Sequence, residues 1–176
     1  MINERSEQMD ESIFERSLEN QLCFEVYKAA NGFSKLYKRA LKPFNLTFPQ
    51  YLVLLALWEG DDIFVKVISE RLGMTIGTLN PILNRLTSQG WAVKSPSSED
   101  KRATVVTLTE KAYKEKRAIS LSILHEVVQC NQLDMDGELF LNNLKNLNSE
   151  FERTEKLAED KGHGKEKNRI EEKNGN

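Results

Sequence analysis

The chain has 176 residues, a formal net charge of −2, and 39% hydrophobic and 30% charged residues. This length favours one domain with tails and is ample for a buried core. The longest apolar run, Tyr51–Trp58, is too short for a membrane span of roughly 18 apolar residues, so the sequence predicts a soluble, cytoplasmic protein.

The first helical segment is predicted over residues of about 12 to 43. Residues 1–11 are polar and are expected to be disordered. Ser12 and Asn20 are two candidate N-caps. From Leu22 onward, apolar side chains recur at helical spacing, which indicates an amphipathic helix.

The middle of the chain predicts three short helices followed by two strands. Helices are predicted over Tyr51–Trp58, Val65–Leu72 and residues 75–88, and strands over Trp91–Lys94 and Ala103–Thr107. Gly73 ends the second of these helices and Thr75 caps the third. Two helices joined by a tight turn and followed by a hairpin form a winged helix–turn–helix, with residues 96–102 at the tip of the wing.

Two longer helices are predicted after the wing. One begins at Thr109 and runs to about Cys130, and the other runs from Asp134 to about Leu157. Residues 158–176 are rich in Lys, Glu, Asn and Gly; they cannot form a core and are predicted to be a disordered, charged tail. The predicted fold class is therefore mainly α with a small β-hairpin wing.

The helix over residues 75–88 has an apolar stripe and a polar opposite face. A helix of this kind can lay its polar face in the major groove of double-stranded DNA, which is about 12 Å wide. That face carries hydroxyl, amide and small groups with one arginine: Thr75, Gly77, Thr78, Asn80, Asn84 and Arg85. At the wing tip, Lys101 and Arg102 can reach phosphate or the adjacent minor groove.

Charge is distributed unevenly along the chain. Residues 1–20 carry two basic and six acidic side chains, residues 35–117 carry fourteen and eight, and residues 118–176 carry eight and twelve. A basic middle between acidic ends is typical of a nucleic-acid-binding core. An ordinary solvated surface would also fit, and winged helices serve as protein-binding modules too; the basic balance of the winged segment favours DNA.

The cysteines and histidines give no metal or catalytic motif. Cys23 and Cys130 lie far apart, as do His125 and His163, and without a secretion signal the cysteines are expected to be thiols. The sequence contains no zinc-ligand spacing, Gly-rich phosphate loop or Ser/His/Asp motif. It therefore predicts no cofactor and gives no argument for an enzyme.

Cys23 has two tyrosines at helical spacing. Tyr27 lies one turn away on the same face, and if Asn20 caps the helix, Cys23 lies in the first turn, where the helix dipole favours thiolate. Tyr37 shares the face but lies about 21 Å along the axis. It can reach Cys23 only in a two-fold dimer whose helices cross antiparallel near Ala29–Gly32. The alternative is that Cys23 is a small core residue.

Several sequence blocks carry a specific resemblance. Asp100–Thr109 (DKRATVVTLT), following Gly90–Lys94 (GWAVK), resembles the wing signature of the MarR family of bacterial repressors. The blocks LENQLCF at 18–24, LTFPQYLVLLALWE at 46–59 and GTLNPILNRL at 77–86 are similar to its organic-hydroperoxide-sensing (OhrR-type) members. The resemblance covers residues of about 17 to 155. It implies one domain over residues 12–157, with a DNA-binding lobe at about 49–108 and a dimerisation lobe formed by helices at about 12–43 and 109–157.

The resemblance also implies roles for individual residues. Cys23 matches the reactive cysteine, and Tyr27 and Tyr37 match two tyrosines that hydrogen-bond it. Phe48 stands where the family usually has another tyrosine, which removes one donor to the sulfur. Cys130 matches the resolving cysteine of the two-cysteine kind, which condenses with the oxidised sensor of the other subunit.

Asp100 and Arg102 match a pair that orders the wing and contacts DNA in this family. The resemblance thus implies a homodimeric repressor that binds a pseudo-palindromic operator. An organic hydroperoxide would oxidise Cys23, and a disulfide to Cys130 would follow. One alternative is a ligand-gated repressor of the same family with silent cysteines. A thiol peroxidase or a protein-binding adaptor is less favoured; against the peroxidase, no Arg or Thr lies near Cys23 in sequence to activate a peroxide.

Overall fold

The computed structural model describes residues 17–98, 100, 103–130 and 136–174. They belong to two compact units, which meet in sequence after Cys130. The first unit contains α1 (Leu22–Leu41), α2 (Phe48–Glu59), β1 (Ile63–Phe64), α3 (Val65–Leu72), α4 (Ile76–Ser88), β2 (Ala92–Pro96), β3 (Thr104–Leu108) and α5 (Glu110–Cys130). The second contains α6 (Gly137–Asn174). None of the described helices is long and apolar enough to cross a membrane.

Helix α1 begins later than predicted. A single 3₁₀ turn, Leu18–Asn20, precedes it, and its N-cap is the extended residue Gln21. Asn20 is therefore not the cap, which corrects the prediction: its side-chain amide instead donates to Ser17 Oγ at 3.1 Å within the turn. Cys23 nevertheless lies in the first turn of α1. The predicted start at Ser12 and the predicted disorder of residues 1–11 fall outside the described residues.

The caps predicted for the winged segment are confirmed. Gly73 ends α3 in the left-handed conformation, with φ of +60°, which glycine adopts without steric cost. Thr75 caps α4, because its Oγ1 accepts a hydrogen bond from the backbone N–H of Thr78 at 3.2 Å. Helix α2 begins with a capping box in which the backbone N–H of Thr47 donates to Gln50 Oε1 at 2.8 Å.

The sheet has three antiparallel strands in the order β1-β3-β2. The predicted hairpin is present, with its strands shifted by one or two residues toward the C-terminus. The strand β1, which pairs Ile63 with Val106 and Phe64 with Val105, was not predicted. Two residues are too few to show the alternation by which a strand is recognised.

The core lies beneath α4 and the sheet. Leu79, Leu83 and Leu86 of α4 are fully buried, which confirms most of the predicted stripe; Ile82 is only partly buried. Helix α5 packs on the C-terminal half of α1, where Ser122 Oγ donates to the carbonyl of Ala40 at 2.8 Å. Because its leucine stripe faces this core, α4 turns its polar face outward.

Helix α6 is longer than predicted. At its start, Asp136 Oδ1 accepts hydrogen bonds from the backbone N–H groups of Glu138 and Leu139 at 3.0 and 3.1 Å; the predicted start at Asp134 lies outside the described residues. The helix continues to Asn174, beyond the end predicted near Leu157; the disorder predicted for residues 158–176 in solution stays a prediction. The tail lacks core-forming residues, but its many Glu and Lys residues have high helix propensity and outnumber the two glycines, Gly162 and Gly164, that lower it.

Candidate nucleic-acid interface and thiol site

The polar face of α4 is presented at the surface as the sequence predicts. Gly77, Thr78, Asn84 and Arg85 are exposed and Asn80 is half-buried. The hydroxyl oxygens of Thr75 and Thr78 lie 3.0 Å apart at the start of the helix. The structure therefore leaves all six predicted α4 residues exposed or half-buried.

Lys94 of β2 joins this surface, although the sequence analysis did not select it. Its Nζ donates to Asn84 Oδ1 at 3.1 Å and to Asn80 Oδ1 at 3.5 Å. In β2, Ala92 is buried and Val93 is exposed, so the two-residue period puts Lys94 on the same side as Ala92. That alternation is the signal in the sequence that could have identified Lys94.

Arg85 faces a cavity that also contains two lysines. The cavity has a volume of about 470 Å³, and its lining includes Arg85, Lys38, Lys42, Phe48 and Pro49. In the described part of the chain, no carboxylate pairs with any of the three cations. A cavity with three cations and apolar walls can accept phosphate or another anion.

The wing tip is described in part. The side chain of Asp100 is exposed, its backbone N–H donates to Ser97 Oγ at 3.4 Å, and its carbonyl accepts from Ala103 at 2.9 Å. Lys101 and Arg102 lie outside the described residues. The ordering of the wing by Asp100 and Arg102 therefore stays a prediction.

Asp61 ties the base of the wing to α5. Its Oδ1 accepts from the backbone N–H of Leu108 at 2.8 Å, and its Oδ2 accepts from the Tyr113 hydroxyl at 2.7 Å. The donated hydrogen bond raises the pKa of Tyr113, with desolvation and the negative charge of Asp61 adding to the effect. No local pattern in the sequence predicts this link, because its members lie 47 and 52 positions apart.

The Cys23 thiol is exposed in the first turn of α1. Tyr27, one turn further along, is 65% exposed, and Leu22, Val26 and Phe33 are exposed as well. Cys23 therefore does not pack in the core of the single chain that the structure describes. The N-terminal half of α1 presents an apolar surface around a free thiol.

Tyr37 lies in an aromatic cluster between α1 and α2. Its ring stacks on Phe48 with 4.3 Å between centroids and lies 5.8 Å from the ring of Tyr51. Burial, with the nearby Tyr37 as a smaller cause, raises the pKa of Tyr51. Tyr37 and Cys23 lie near opposite ends of α1, so one chain does not bring them together.

Cys130 is the last residue of α5, and its side chain lies outside the described part of the chain. Among the described side chains, no group of three or more His, Cys, Asp or Glu residues could hold a metal ion.

The chain is similar to known transcriptional regulators. The family described as transcriptional regulator SarA/Rot matches residues 35–119. The organic hydroperoxide resistance transcriptional regulator of Bacillus subtilis is 42% identical over 102 residues, which are 58% of this chain and 69% of that protein.

Solved structures extend the similarity to the fold. Reduced AbfR bound to DNA matches with a TM-score of 0.63 and 30% identity over 76% of this chain and 94% of that one. Disulfide-formed AbfR matches with a TM-score of 0.55 and 33% identity over 86% and 94%. With the winged helix–turn–helix and the sequence blocks already described, these similarities establish that the chain belongs to the MarR family of winged-helix, DNA-binding transcriptional regulators.

Proposed function

We propose that this regulator is a homodimeric repressor whose DNA binding is switched by oxidation of Cys23 with an organic hydroperoxide. The observation that carries the proposal is the position of the free Cys23 thiol in the first turn of α1, outside the core of the single chain. Free N–H groups and the helix dipole at that position favour thiolate, the reactive form of cysteine. The B. subtilis relative, named for organic hydroperoxide resistance, supports the choice of oxidant.

The DNA-binding part of the proposal rests on the polar face of α4. Its hydroxyl and amide groups, with Arg85, present the donors that read base edges and phosphates in the major groove. Two copies related by a two-fold axis would contact two half-sites of a pseudo-palindromic operator. The AbfR structure bound to DNA supports the same use of the fold.

A dimer would cover the exposed apolar side chains of the two long helices. These are Leu22, Val26 and Phe33 on α1 and Leu121, Leu124, Val127 and Val128 on α5. Ala29, Ala30 and Gly32, near the middle of α1, are small and exposed, so a second α1 can approach closely there. An antiparallel crossing at that point brings Tyr37 of the second chain to Cys23 of the first.

The switching chemistry balances with the hydroperoxide as oxidant. The Cys23 thiolate attacks the terminal peroxide oxygen, the O–O bond breaks, and the products are a sulfenic acid and the corresponding alcohol. The thiol of Cys130 in the other subunit then displaces water from the sulfenic acid to form a disulfide; a small thiol can take the same role. Because a disulfide requires Cα atoms roughly 5.5 Å apart, closing it would displace the helices that carry the two DNA-binding lobes.

The test is a DNA-binding titration on the duplex upstream of the protein's own gene. The reduced protein is expected to bind, to be released by a slight excess of cumene hydroperoxide, and to bind again after dithiothreitol. Cys23→Ser is expected to bind DNA and not to be released by the peroxide. Cys130→Ser cannot form the intersubunit disulfide, so it distinguishes that disulfide from a mixed disulfide between Cys23 and a small thiol. Release of the Cys23→Ser protein by the peroxide would exclude Cys23 as the sensor.

A second candidate is a ligand-gated repressor with silent cysteines. The observation that favours it is the cavity at Arg85, Lys38 and Lys42, whose Phe48 and Pro49 walls suit an aromatic anion. Release of DNA by a benzoate-type anion in Cys23→Ser/Cys130→Ser protein, together with indifference of the unmodified protein to peroxide, would favour this function. The regulator names of the relatives support a non-enzymatic role over a peroxidase.

A further inference from the structure

We infer that Lys94 is a positioning residue that decides which hydrogen-bonding groups α4 presents to the bases of DNA. The inference rests on the proposed DNA-binding function and goes beyond it, because it concerns sequence preference. Its basis is the pair of contacts from Lys94 Nζ to Asn84 Oδ1 at 3.1 Å and to Asn80 Oδ1 at 3.5 Å.

The ammonium group of Lys94 fixes the orientation of the Asn84 amide. A lysine ammonium only donates hydrogen bonds, so it must face the amide oxygen rather than the amide nitrogen. Because the amide is planar, the nitrogen and its two N–H donors then point away from Lys94. Asn84 is exposed, so these donors are available to a ligand.

Lys94 is held in place by the sheet. It is paired with Val106, which is fully buried, and Ala92 on the same side of β2 is buried as well. In the part of the chain that the structure describes, no carboxylate forms an ion pair with Lys94. Its ammonium group therefore acts on the two asparagine oxygens.

This orientation changes what Asn84 can recognise. An unrestrained asparagine reads adenine through two hydrogen bonds, accepting from N6 and donating to N7. With the ammonium beside Oδ1, a second donor such as the adenine N6 group would face a positive charge. The second lone pair of Oδ1 lies beside this charge, so Asn84 acts mainly as a donor, which matches the O6 and N7 acceptors of guanine or the O4 acceptor of thymine.

The experiment is selection of binding sites from a randomised duplex library, comparing the unmodified protein with Lys94→Met. The unmodified protein is expected to enrich guanine or thymine at the position that Asn84 faces, which Asn84→Ala identifies by losing the preference. Lys94→Met frees the amide oxygen and is expected to shift that position toward adenine, by about tenfold in relative affinity. Lys94→Arg, which retains a donor, is expected to keep the original preference.

Lys66→Met is the matched control, because Lys66 is an exposed lysine of α3 that pairs with Glu70 at 3.9 Å rather than with the asparagines. It is expected to leave the base preference unchanged. The inference would be overturned if Lys94→Met kept the original base preference and bound all sequences more weakly. Its slope of log affinity against log salt concentration would then be lower by about 0.9 for each phosphate no longer neutralised, and Lys94 would be a phosphate-binding residue. If the unmodified protein enriched no sequence at all, the DNA-binding proposal would fail, and this inference with it.

Discussion

The cavity at Lys38, Lys42 and Arg85 makes a quantitative prediction about DNA binding. The three cations face one space of about 470 Å³ beside α4, and among the described residues no carboxylate pairs with them. If α4 lies in the major groove, the two lysines extend the cationic surface toward the flanking phosphates. The perturbation is Lys38→Gln/Lys42→Gln, which removes two charges and keeps side chains of similar length.

The expected magnitude follows from counterion release. Each neutralised phosphate contributes about 0.9 to the slope of log affinity against log salt concentration. Two lysines in each of two subunits neutralise four phosphates, so the slope is expected to fall by about 3.6. When the salt concentration rises from 50 to 200 mM, affinity falls for both proteins. The factor of this fall is then expected to be roughly 150 times smaller for the variant than for the unmodified protein.

The assay is fluorescence anisotropy of a labelled operator duplex over that range of salt. Lys114→Gln is the control, because Lys114 is an exposed lysine of α5 that pairs with Glu110 at 2.7 Å; it is expected to keep the original slope. A double variant with the slope of the unmodified protein would refute the reasoning. The cavity would then lie off the DNA backbone and remain free for a small anion.

Three further predictions concern assembly, stability and titration. Val26→Asp places a charge among the exposed apolar side chains of α1 and is expected to give monomers in size-exclusion chromatography with light scattering, whereas Val93→Asp on the exposed side of β2 is expected to leave the mass unchanged. Thr75→Ala removes the cap of α4 and is expected to lower the free energy of unfolding in urea by about 1 kcal/mol, with Thr75→Ser close to the unmodified protein; an equal loss in both would contradict the cap. The hydrogen bond to Asp61 raises the pKa of Tyr113. The stability that this bond adds to the fold is therefore complete below the tyrosine pKa of about 10 in the unfolded chain, and it is lost as the pH rises through the higher pKa of the folded protein. Ultraviolet titration of phenolate should therefore show that Tyr113→Phe loses one tyrosine signal above the usual range, and a loss within the usual range would refute the assignment.

Local signals in the sequence were sufficient for most helices of the winged segment. The caps at Thr75 and Gly73 act within four residues of their partners, so they can be identified from the sequence alone. Asn20 was misassigned because the same side chain also stabilises a 3₁₀ turn, and the choice depends on the backbone of Gln21. The end of α6 was misplaced because the absence of core residues does not prevent a helix rich in Glu and Lys.

Long-range partners explain what the sequence did not predict in the candidate site. Lys94 meets Asn84 only when β2 packs on α4, and Asp61 meets Tyr113 only when the start of β1 lies beside α5. Neither pair has a periodicity or spacing of its own. In contrast, the separation of Cys23 from Tyr37 follows from helix geometry alone, since fourteen residues of a straight helix span about 21 Å.

That separation makes the proposed sensor a property of two chains, which mixed dimers can test. If Cys23 of one chain uses Tyr37 of the other, a dimer of one Cys23→Ser chain and one Tyr37→Phe chain contains one doubly altered site and one intact site. A site within one chain would instead leave every remaining thiol without its tyrosine. After random reassortment of equal amounts, about half of the Cys23 thiols are expected to form sulfenic acid at the unmodified rate, measured with a dimedone probe at limiting peroxide. Uniformly slow reaction, equal to that of the Tyr37→Phe homodimer, would show that Tyr37 does not act on the cysteine of the second chain, and the antiparallel crossing near Ala29 and Gly32 would have to be abandoned.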